Sequence, residues 1–325
     1  MSAYLAVIGE CLVDVVHSET SAPKAHVGGS PFNVAVGLAR LEHDVVFAGR
    51  RGDDDYGRMI ARSLRAQGIT ALLDADASPT SVARATLDPT GQASYEFTLD
   101  WTLPSAAELE QKFCALAREN KPTVGDAGPL EHLHTGSIGA MLQPGAETVK
   151  GVLDRARKVA TISYDPNYRP TLVPNREEAR RQAEEFIARA DVIQASTDDL
   201  DLLYPERSHR ETMEAWLQMG PALVTVTRGP SGAMGLTRAG FAEQEAFSIE
   251  VADTVGAGDS FMAATLSTLR RMNLLGASRR ATLREISADQ LATVLRTAAR
   301  AAAINSSRFG AQPPTAEELT QALES

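Results

Sequence analysis

The strongest constraint on the fold is an alternation of short apolar runs with stretches in which apolar residues recur at helical spacing. Strands are predicted at residues 4–8, 45–48, 132–135, 161–164, 191–194 and 223–227. Helices are predicted at residues 31–41, 56–67, 260–271 and 288–304. This order is typical of a largely parallel sheet between two layers of helices. No internal repeat and no linker rich in proline or glycine interrupts the 325 residues, so we expect one three-layer α/β/α domain over residues 1–325.

Residues 81–99 follow a different pattern, in which apolar and polar side chains alternate on either side of a turn at residues 88–91. Such alternation is typical of a β-hairpin with one solvated face. Inside an α/β chain, a hairpin of this kind predicts a small accessory sheet or lid.

Composition excludes several classes of function. A formal net charge of −10 and a pI near 5.2 argue against a nucleic-acid partner, which calls for a basic surface. No apolar run approaches the roughly 20 residues of a membrane span, and the first residues lack the basic segment of a signal peptide. We therefore expect a cytoplasmic protein. Cys11 and Cys114 form no C-x-x-C pair and are predicted to be buried, reduced thiols.

The run at residues 253–259, Asp-Thr-Val-Gly-Ala-Gly-Asp, carries the clearest chemical signal. Small residues before a predicted helix let a ligand approach the backbone, and the N–H groups of a helix start bind anions such as phosphate. An acid there is repelled by phosphate, so Asp259 is either a general base for a hydroxyl nucleophile or an N-cap. Both interpretations stay open on physical grounds. The chain has no P-loop motif, and no G-x-G-x-x-G follows its first strand.

Together with a second motif, this run resembles the signatures of the ribokinase-like, or pfkB, carbohydrate kinases. Residues 253–259 are similar to the family's D-T-x-G-A-G-D signature, and residues 28–35 (GGSPFNVA) are similar to its N-terminal signature. The family's G-x-D-x-x-G follows at Gly52, Asp54 and Gly57. The resemblance implies a ribokinase-like fold and transfer of the γ-phosphate of ATP to a sugar hydroxyl. It also implies a lid formed by residues 12–27 and 81–100.

The resemblance assigns roles to individual residues. Asp259 becomes the base, and the N–H groups of Gly256, Ala257 and Gly258 become the anion hole. Sugar-binding candidates are Asp14, Gly28, Gly29 and Asn33, and nucleotide-binding candidates are Thr227, Gly229, Gly232 and, near the adenine, Asn305. Each has a purely structural alternative: a polar strand face for Asp14, a helix cap for Asn33, and turns for the glycines.

The chain departs from the resemblance where the family organises Mg²⁺ through water with N-x-x-E. Residues 196–199, Ser-Thr-Asp-Asp, stand there, and Asp199 keeps a carboxylate that can serve through water. The alternative is that Asp198 and Asp199 are an acidic pair at a helix start. A monovalent cation, K⁺, near Asp253 and a homodimer paired through the lid are further implications of the resemblance.

Residues 165–170 (DPNYRP) resemble the D-x-N-x-R stretch of fructokinases and 2-keto-3-deoxygluconate kinases. A keto-acid substrate calls for cationic groups, yet residues 94–101 of the hairpin contain two acids and no Arg or Lys. This favours a neutral sugar, with fructose as the leading prediction and Arg169 as a sugar-binding candidate. Arg169 also keeps 2-keto-3-deoxygluconate open. A nucleoside kinase and a non-catalytic sugar or nucleotide sensor are the remaining alternatives.

Three lesser features have mainly structural interpretations. Residues 53–55, three aspartates, are predicted to form a solvated acidic turn rather than a metal site. His132 and His134 alternate along one strand without a nearby third ligand, so we expect both to be structural. For Trp101, stacking on a sugar and packing in the core both remain open.

Overall fold

The computed structural model describes residues 3–18, 21–87, 93–119 and 130–324. The strands of these ranges are β1 Tyr4–Ile8, β2 Leu12–Ser18, β3 Ser21–Gly28, β4 Val45–Ala48, β5 Thr70–Ala71, β6 Val82–Leu87, β7 Ala93–Thr98, β8 Leu130–Gly136, β9 Thr161–Asp165, β10 Val192–Ser196, β11 Leu223–Thr227, β12 Ala233–Thr237 and β13 Gly240–Gln244. The α-helices are α1 Ser30–Arg40, α2 Asp55–Ala66, α3 Ala106–Glu119, α4 Gly145–Ala156, α5 Arg176–Ile187, α6 Thr197–Leu203, α7 His209–Gln218, α8 Ala257–Arg271, α9 Arg280–Arg284, α10 Ala288–Ser306 and α11 Ala316–Glu324.

The main sheet has nine strands in the order β13-β12-β11-β10-β9-β8-β1-β4-β5. All neighbours from β11 to β5 pair in parallel, whereas β12 and β13 pair antiparallel at one edge. Along β1, Ala6 and Ile8 face one buried cluster and Leu5 and Val7 face another, because successive side chains of a strand point to opposite faces. Both faces are therefore buried, and the predicted three-layer α/β/α architecture is confirmed.

Helices cover the two faces of this sheet in two groups. Helices α3 to α7 contribute to one buried cluster, with Phe113, Phe186 and Trp216 among its large side chains. The other cluster is built by α1, α2, α8, α10 and α11, with Phe32 and Phe261 among its side chains. Among the described residues, no helix combines the length and the apolar character that crossing a membrane requires.

A second, smaller sheet has four strands in the order β3-β2-β6-β7. The predicted hairpin is present as the antiparallel pair β6–β7, while its predicted turn at residues 88–91 lies outside the described residues. Strands β2 and β3 form a second antiparallel pair, and β2 joins the two pairs by running parallel to β6. We call this unit the small sheet.

The six strands and four helices predicted from periodicity are all present, with ends shifted by at most three residues. Strands β12 and β13 are not predicted from periodicity, and only Arg238 and Ala239 join them. Their pairing carries the main sheet beyond its parallel part, and alternating exposure along β13 marks the solvated edge.

The lesser features mostly have structural roles. Asp54 is the N-cap of α2 and accepts hydrogen bonds from Gly57 N and from the backbone and hydroxyl of Thr80. Trp101 is buried and donates from Nε1 to Gly139 O at 2.9 Å, so it packs in the core and stacks on no sugar.

The histidine prediction also holds. His132 and His134 are fully buried, and both rings bond to the hydroxyl of Ser163. The cysteine prediction is wrong for one residue, since Cys11 is buried but Cys114 is exposed on α3. Helix α3 turns one side toward solvent, and Cys114 directly follows Phe113, whose side chain occupies the buried side.

Candidate active site

A cleft of about 440 Å³ lies at the carboxyl ends of the parallel strands, beside the small sheet. Ligands of open α/β sheets bind at this edge, where neighbouring connections diverge. The small sheet contributes Leu12, Asp14, Ala83 and Phe97 to the lining. The main-sheet side contributes Glu10, Gly29, Ser30, Asn33, Ser137, Ile138, Asp165, Asn167, Arg169, Gln194, Ala195, Ser196, Asp199, Thr227, Thr254, Val255, Gly256, Gly258 and Asp259.

Asp259 lies in the first turn of α8 and is half-buried against the cleft. Its Oδ1 accepts from Ser30 Oγ at 2.6 Å and its Oδ2 accepts from Asn33 Nδ2 at 2.8 Å. The N-cap of α8 is Gly256, and no side chain caps it. The N-cap interpretation of Asp259 is therefore wrong, and so is the cap interpretation of Asn33, whose amide holds the Asp259 carboxylate.

Helix packing brings these partners together across 226 and 229 residues of sequence. Helix α1 carries Ser30 and Asn33 and packs on α8 at Gly37. A Cβ at Gly37 would lie 2.6 Å from the Cβ of Ala263, closer than real contacts allow. The absence of a side chain at this point lets α1 approach α8 closely enough for both donors to reach Asp259.

The surroundings of Asp259 set its basicity. Withdrawal of the carboxyl from bulk water raises its pKa to about 6, while the bonds from Ser30 and Asn33 and the charge of Arg169 pull the pKa downward. The group is thus a stronger base than an ordinary Asp and is still ionised at neutral pH. These are the properties that a general base for an alcohol requires.

The start of α8 offers backbone N–H groups to an anion, aided by the helix dipole. Gly256 has a left-handed φ of 75°, and a Cβ there would lie 2.6 Å from the Cβ of Ala311, so only glycine fits. Of the three predicted anion-hole residues, Ala257 donates its N–H to Thr254 O at 3.2 Å. Gly256 and Gly258 line the cleft directly.

The predicted sugar-binding residues lie on both sides of the cleft. Asp14 lies on β2, and a Cβ at Gly28 on β3 would lie 2.2 Å from its Oδ2. Gly28 therefore makes room for the Asp14 carboxylate and does not itself line the cleft. Gly29 has φ 110° and lies against the backbone of Glu10, where a Cβ would be only 2.7 Å from the Glu10 carbonyl oxygen.

The predicted nucleotide-binding residues are only partly brought together. Thr227 ends β11 and lines the cleft. Gly229 and Gly232 form the turn that follows, and a Cβ at Gly232 would lie 2.0 Å from Gln244 O, which explains glycine there without a ligand.

Asn305 is placed differently from the prediction. Its side chain is fully buried, and Nδ2 donates to Val255 O at 2.7 Å. Asn305 therefore supports the loop before α8 through this hydrogen bond. Its side chain exposes no surface that could contact an adenine, which corrects the prediction.

Asp199 is the N3 residue of a capping box at the start of α6. Its Oδ2 accepts from Ser196 N at 2.8 Å and Ser196 Oγ at 2.7 Å, and its Oδ1 accepts from Tyr168 N at 2.7 Å. These bonds favour the helix-start alternative for Asp199 and leave one lone pair on Oδ1 for a water. Asp198 is exposed and lies outside the cleft. Within the described residues, no three His, Cys, Asp or Glu side chains converge as a ready-made metal cage.

Three polar residues of the cleft floor, Glu10, Asp165 and Gln194, received no site role from the sequence, although Asp165 begins the DPNYRP stretch. Burial, then the charges of Asp199 and Asp259, raises the pKa of Asp165 well above its usual range. The available signal was that each of these residues lies at or near the carboxyl end of a strand candidate. Arg169, in contrast, is exposed at the rim, where its Nη1 donates to the carbonyls of Asn167 and Tyr168.

Glu10 follows β1 and is only 4% exposed. Its Oε2 accepts from Gly139 N at 2.7 Å. Burial raises the pKa of Glu10 to about 7, although its own backbone, Gly139 and Ser137 donate to the carboxylate and act in the opposite direction. Two acids that titrate close to neutrality, Glu10 and Asp259, thus face the same cleft.

We predict that Glu10→Gln stabilises the folded protein at pH 8 but has little effect at pH 4.5. Folding raises the pKa of Glu10 from 4.5 to about 7. The folded protein therefore loses stability as pH rises between these values, because the buried carboxyl must give up its proton. An amide carries no charge at any of these pH values and avoids this loss, on the order of 3 kcal/mol. Urea unfolding at both pH values measures the effect, with exposed Glu214→Gln as control. An equal difference in unfolding free energy at both pH values would contradict the assignment.

A profile of the pfkB family of carbohydrate kinases matches residues 2–318. The chain is 31% identical over 272 residues to a fructokinase of Rhizobium leguminosarum bv. trifolii, covering 82% of this chain and 80% of the relative. Its structure is similar to that of a fructokinase with bound ATP from Xylella fastidiosa (TM-score 0.81, 25% identity, 98% of each chain). Ribokinase from Thermotoga maritima shares the fold at 19% identity (TM-score 0.72, 99% and 100% covered). The chain therefore belongs to the pfkB family and is an ATP-dependent sugar kinase with a ribokinase-like fold.

Proposed function

We propose that the chain is a fructokinase, which transfers the γ-phosphate of ATP to a primary hydroxyl of fructose. The observation that carries the proposal is the Asp259 carboxylate at the start of α8, held by Ser30 and Asn33 in a cleft shared with the small sheet. The proposal takes fructose from the relative of Rhizobium leguminosarum bv. trifolii, which is named a fructokinase.

In the proposed mechanism, Asp259 accepts the proton of the sugar hydroxyl as its oxygen attacks the γ-phosphorus of ATP. The bond to the β–γ bridging oxygen breaks, and ADP leaves. Phosphoryl transfer through a loose transition state depends mainly on positioning and on charge stabilisation. The backbone N–H groups at Gly256 and Gly258 supply that stabilisation at the positive end of α8, and Thr227 with its following turn lies on the nucleotide side.

Mg²⁺ fits the cleft as a partner of the ATP phosphates. Asp165, Asp199 and Asp259 lie near enough that the charges of the last two raise the pKa of Asp165, an arrangement that a cation relieves. Asp165 and, through water, Asp199 are the residues proposed to hold it. Mg²⁺ neutralises phosphate charge when bound. K⁺ near Asp253 also belongs to the proposal, although that carboxylate already accepts from Val255 N and Gly310 N.

The charge of the cleft favours a neutral sugar. The acids that line it are Glu10, Asp14, Asp165, Asp199 and Asp259, and Arg169 at the rim is its sole cation among the lining residues. A substrate carboxylate would meet five acids, and like charges disfavour binding. Arg169 is the one feature that favours 2-keto-3-deoxygluconate, which makes that sugar acid the second candidate.

We propose that the small sheet is a lid over the sugar, since Asp14 and Phe97 reach from it into the cleft. Its outer strands in the described sheet are β3 and β7. Strand edges pair readily with another chain, so pairing of two copies through this sheet is part of the proposal.

We predict that fructose is turned over with the highest kcat/KM among fructose, 2-keto-3-deoxygluconate, ribose and adenosine. ADP release measured across the four substrates tests this. A higher kcat/KM for 2-keto-3-deoxygluconate would make that sugar acid the substrate, with its carboxylate paired to Arg169. Sugar binding without ADP release would instead indicate a sensor.

Asp259→Asn should lower kcat by roughly 10²–10⁴-fold, because it removes the proton acceptor, and leave ATP affinity within a few-fold. In the unaltered enzyme, kcat/KM should rise with pH and level off above about 6, where Asp259 becomes ionised. Steady-state kinetics from pH 5 to 8 measures both, with exposed Asp198→Asn as the matched control. Substantial activity in Asp259→Asn would exclude the base assignment.

Phe97→Ser should raise the KM for the sugar by roughly tenfold, which corresponds to about 1.4 kcal/mol of lost apolar contact, while the protein stays folded. Phe241→Ser is the matched control, because Phe241 is similarly exposed, 39% against 37%, but lies on β13 away from the cleft. If KM changed equally in both variants, the lid proposal would fail.

A further inference from the structure

Gln194 occupies a central position in the floor of the candidate active site. It lies on β10 and is only 1% exposed. Its Nε2 donates to Asp165 Oδ2 at 2.8 Å and to the backbone carbonyl of Gly258 at 2.9 Å. One side-chain amide therefore connects the end of β9 to the first turn of α8.

The contacts determine the orientation of this amide. Asp165 Oδ2 and Gly258 O are both acceptors, so the NH₂ group must face them, and a flipped amide would direct Oε1 at two oxygens. Gln194 Oε1 is buried and has no hydrogen-bond partner within the described residues. Leaving a buried acceptor unpaired costs about 1–3 kcal/mol. Stability alone does not account for a glutamine with this cost. The two groups that its NH₂ holds, Asp165 and the Gly258 carbonyl, indicate a role in the site.

The bond to Gly258 O constrains the peptide that precedes Asp259. A peptide unit is planar, so its C=O and N–H point in opposite directions. Anchoring Gly258 O on Gln194 therefore sets the direction of the Asp259 N–H and the position of the Asp259 Cα.

We propose that Gln194 is a positioning residue for phosphoryl transfer: its amide holds the first turn of α8 so that the backbone donors and the Asp259 carboxylate aim at the transferring phosphoryl group. The inference rests on the proposed roles of Asp259 and of the α8 N-terminus. It gives Gln194 no contact with the sugar. Ser30 and Asn33 orient the carboxylate from the side of α1, and Gln194 orients the backbone from the side of the sheet.

The first test compares Gln194→Met and Gln194→Ala with the unaltered enzyme. Both remove the two hydrogen bonds, and Met keeps most of the side-chain volume. We expect kcat to fall roughly 10- to 100-fold, because small misplacements of reacting groups cost about this much, with the KM for sugar and for ATP within about threefold. Rates are measured on whichever panel sugar is turned over fastest, so a wrong choice of fructose leaves this comparison intact.

Thr225→Val is the matched control. Thr225 is the neighbour of Gln194 in the register of β11 with β10, is fully buried, and donates to Ile193 O at 3.1 Å. Its replacement removes one buried hydrogen bond from the same part of the sheet without touching α8. We expect a lower thermal midpoint and an unchanged kcat, which separates a loss of stability from a loss of positioning.

The second test uses Gln194→Asn, which keeps an uncharged amide but shortens the side chain by one methylene. The shorter side chain cannot hold Asp165 Oδ2 and Gly258 O together at the distances seen for Gln194. We therefore expect its kcat to fall as in Gln194→Met, with the KM for sugar and for ATP again within about threefold.

A loss of kcat in Gln194→Met and Gln194→Asn with little change in KM supports the proposal. It is overturned if either variant keeps the kcat of the unaltered enzyme, or if the main effect is on the sugar KM. Should Gln194→Met and Gln194→Ala not fold, Gln194→Asn decides by the same split between kcat and KM.

Discussion

The site depends on the two hydrogen bonds that Ser30 and Asn33 donate to the carboxylate of Asp259. It requires α1 and α8 to lie side by side, which the lack of a side chain at Gly37 permits. It also requires the N-terminus of α8 to open into the cleft, which the left-handed Gly256 provides. Helix packing, backbone conformation and chemistry are therefore constrained by the same few contacts.

A second constraint is the accumulation of acids on the cleft floor. Glu10, Asp165 and Asp199 are each less than 10% exposed, and Asp259 is half-buried beside them. Burial raises the pKa values of Glu10, Asp165 and Asp259, and repulsion from neighbouring acids raises those of Glu10 and Asp165 further. Such a cleft is stable while its charges are neutralised by hydrogen bonds, protons or cations. Such a cleft suits the proposed reaction, in which Mg²⁺ enters with the phosphates of ATP and a carboxylate accepts a proton.

The sequence predicts the part of this structure that local patterns encode. Apolar periodicity locates the main strands and helices, and the glycine run before α8 predicts an anion-binding helix start. The helix start at Asp199 is equally local: the sequence indicates it as an acidic pair, and the structure adds a capping box with Ser196, three residues away. The roles of Asn305, Glu10 and Gln194 were not predictable in this way, because their partners lie 50, 129 and 64 residues away. Only the tertiary fold decides whether such side chains face a ligand, a loop or each other.

The distance along the chain between α1 and Asp259 has a consequence for biosynthesis. The Asp259 carboxylate lies 226 and 229 residues from its two donors, so the site forms only when nearly the whole domain has been made and packed. Contacts between residues so distant in sequence form late, because the intervening chain must first be ordered. A nascent chain that has not yet been made as far as α8 contains Ser30 and Asn33 but not the Asp259 carboxylate that they bind. Enzymatic activity in this protein therefore reports on completed folding more strictly than helix content does.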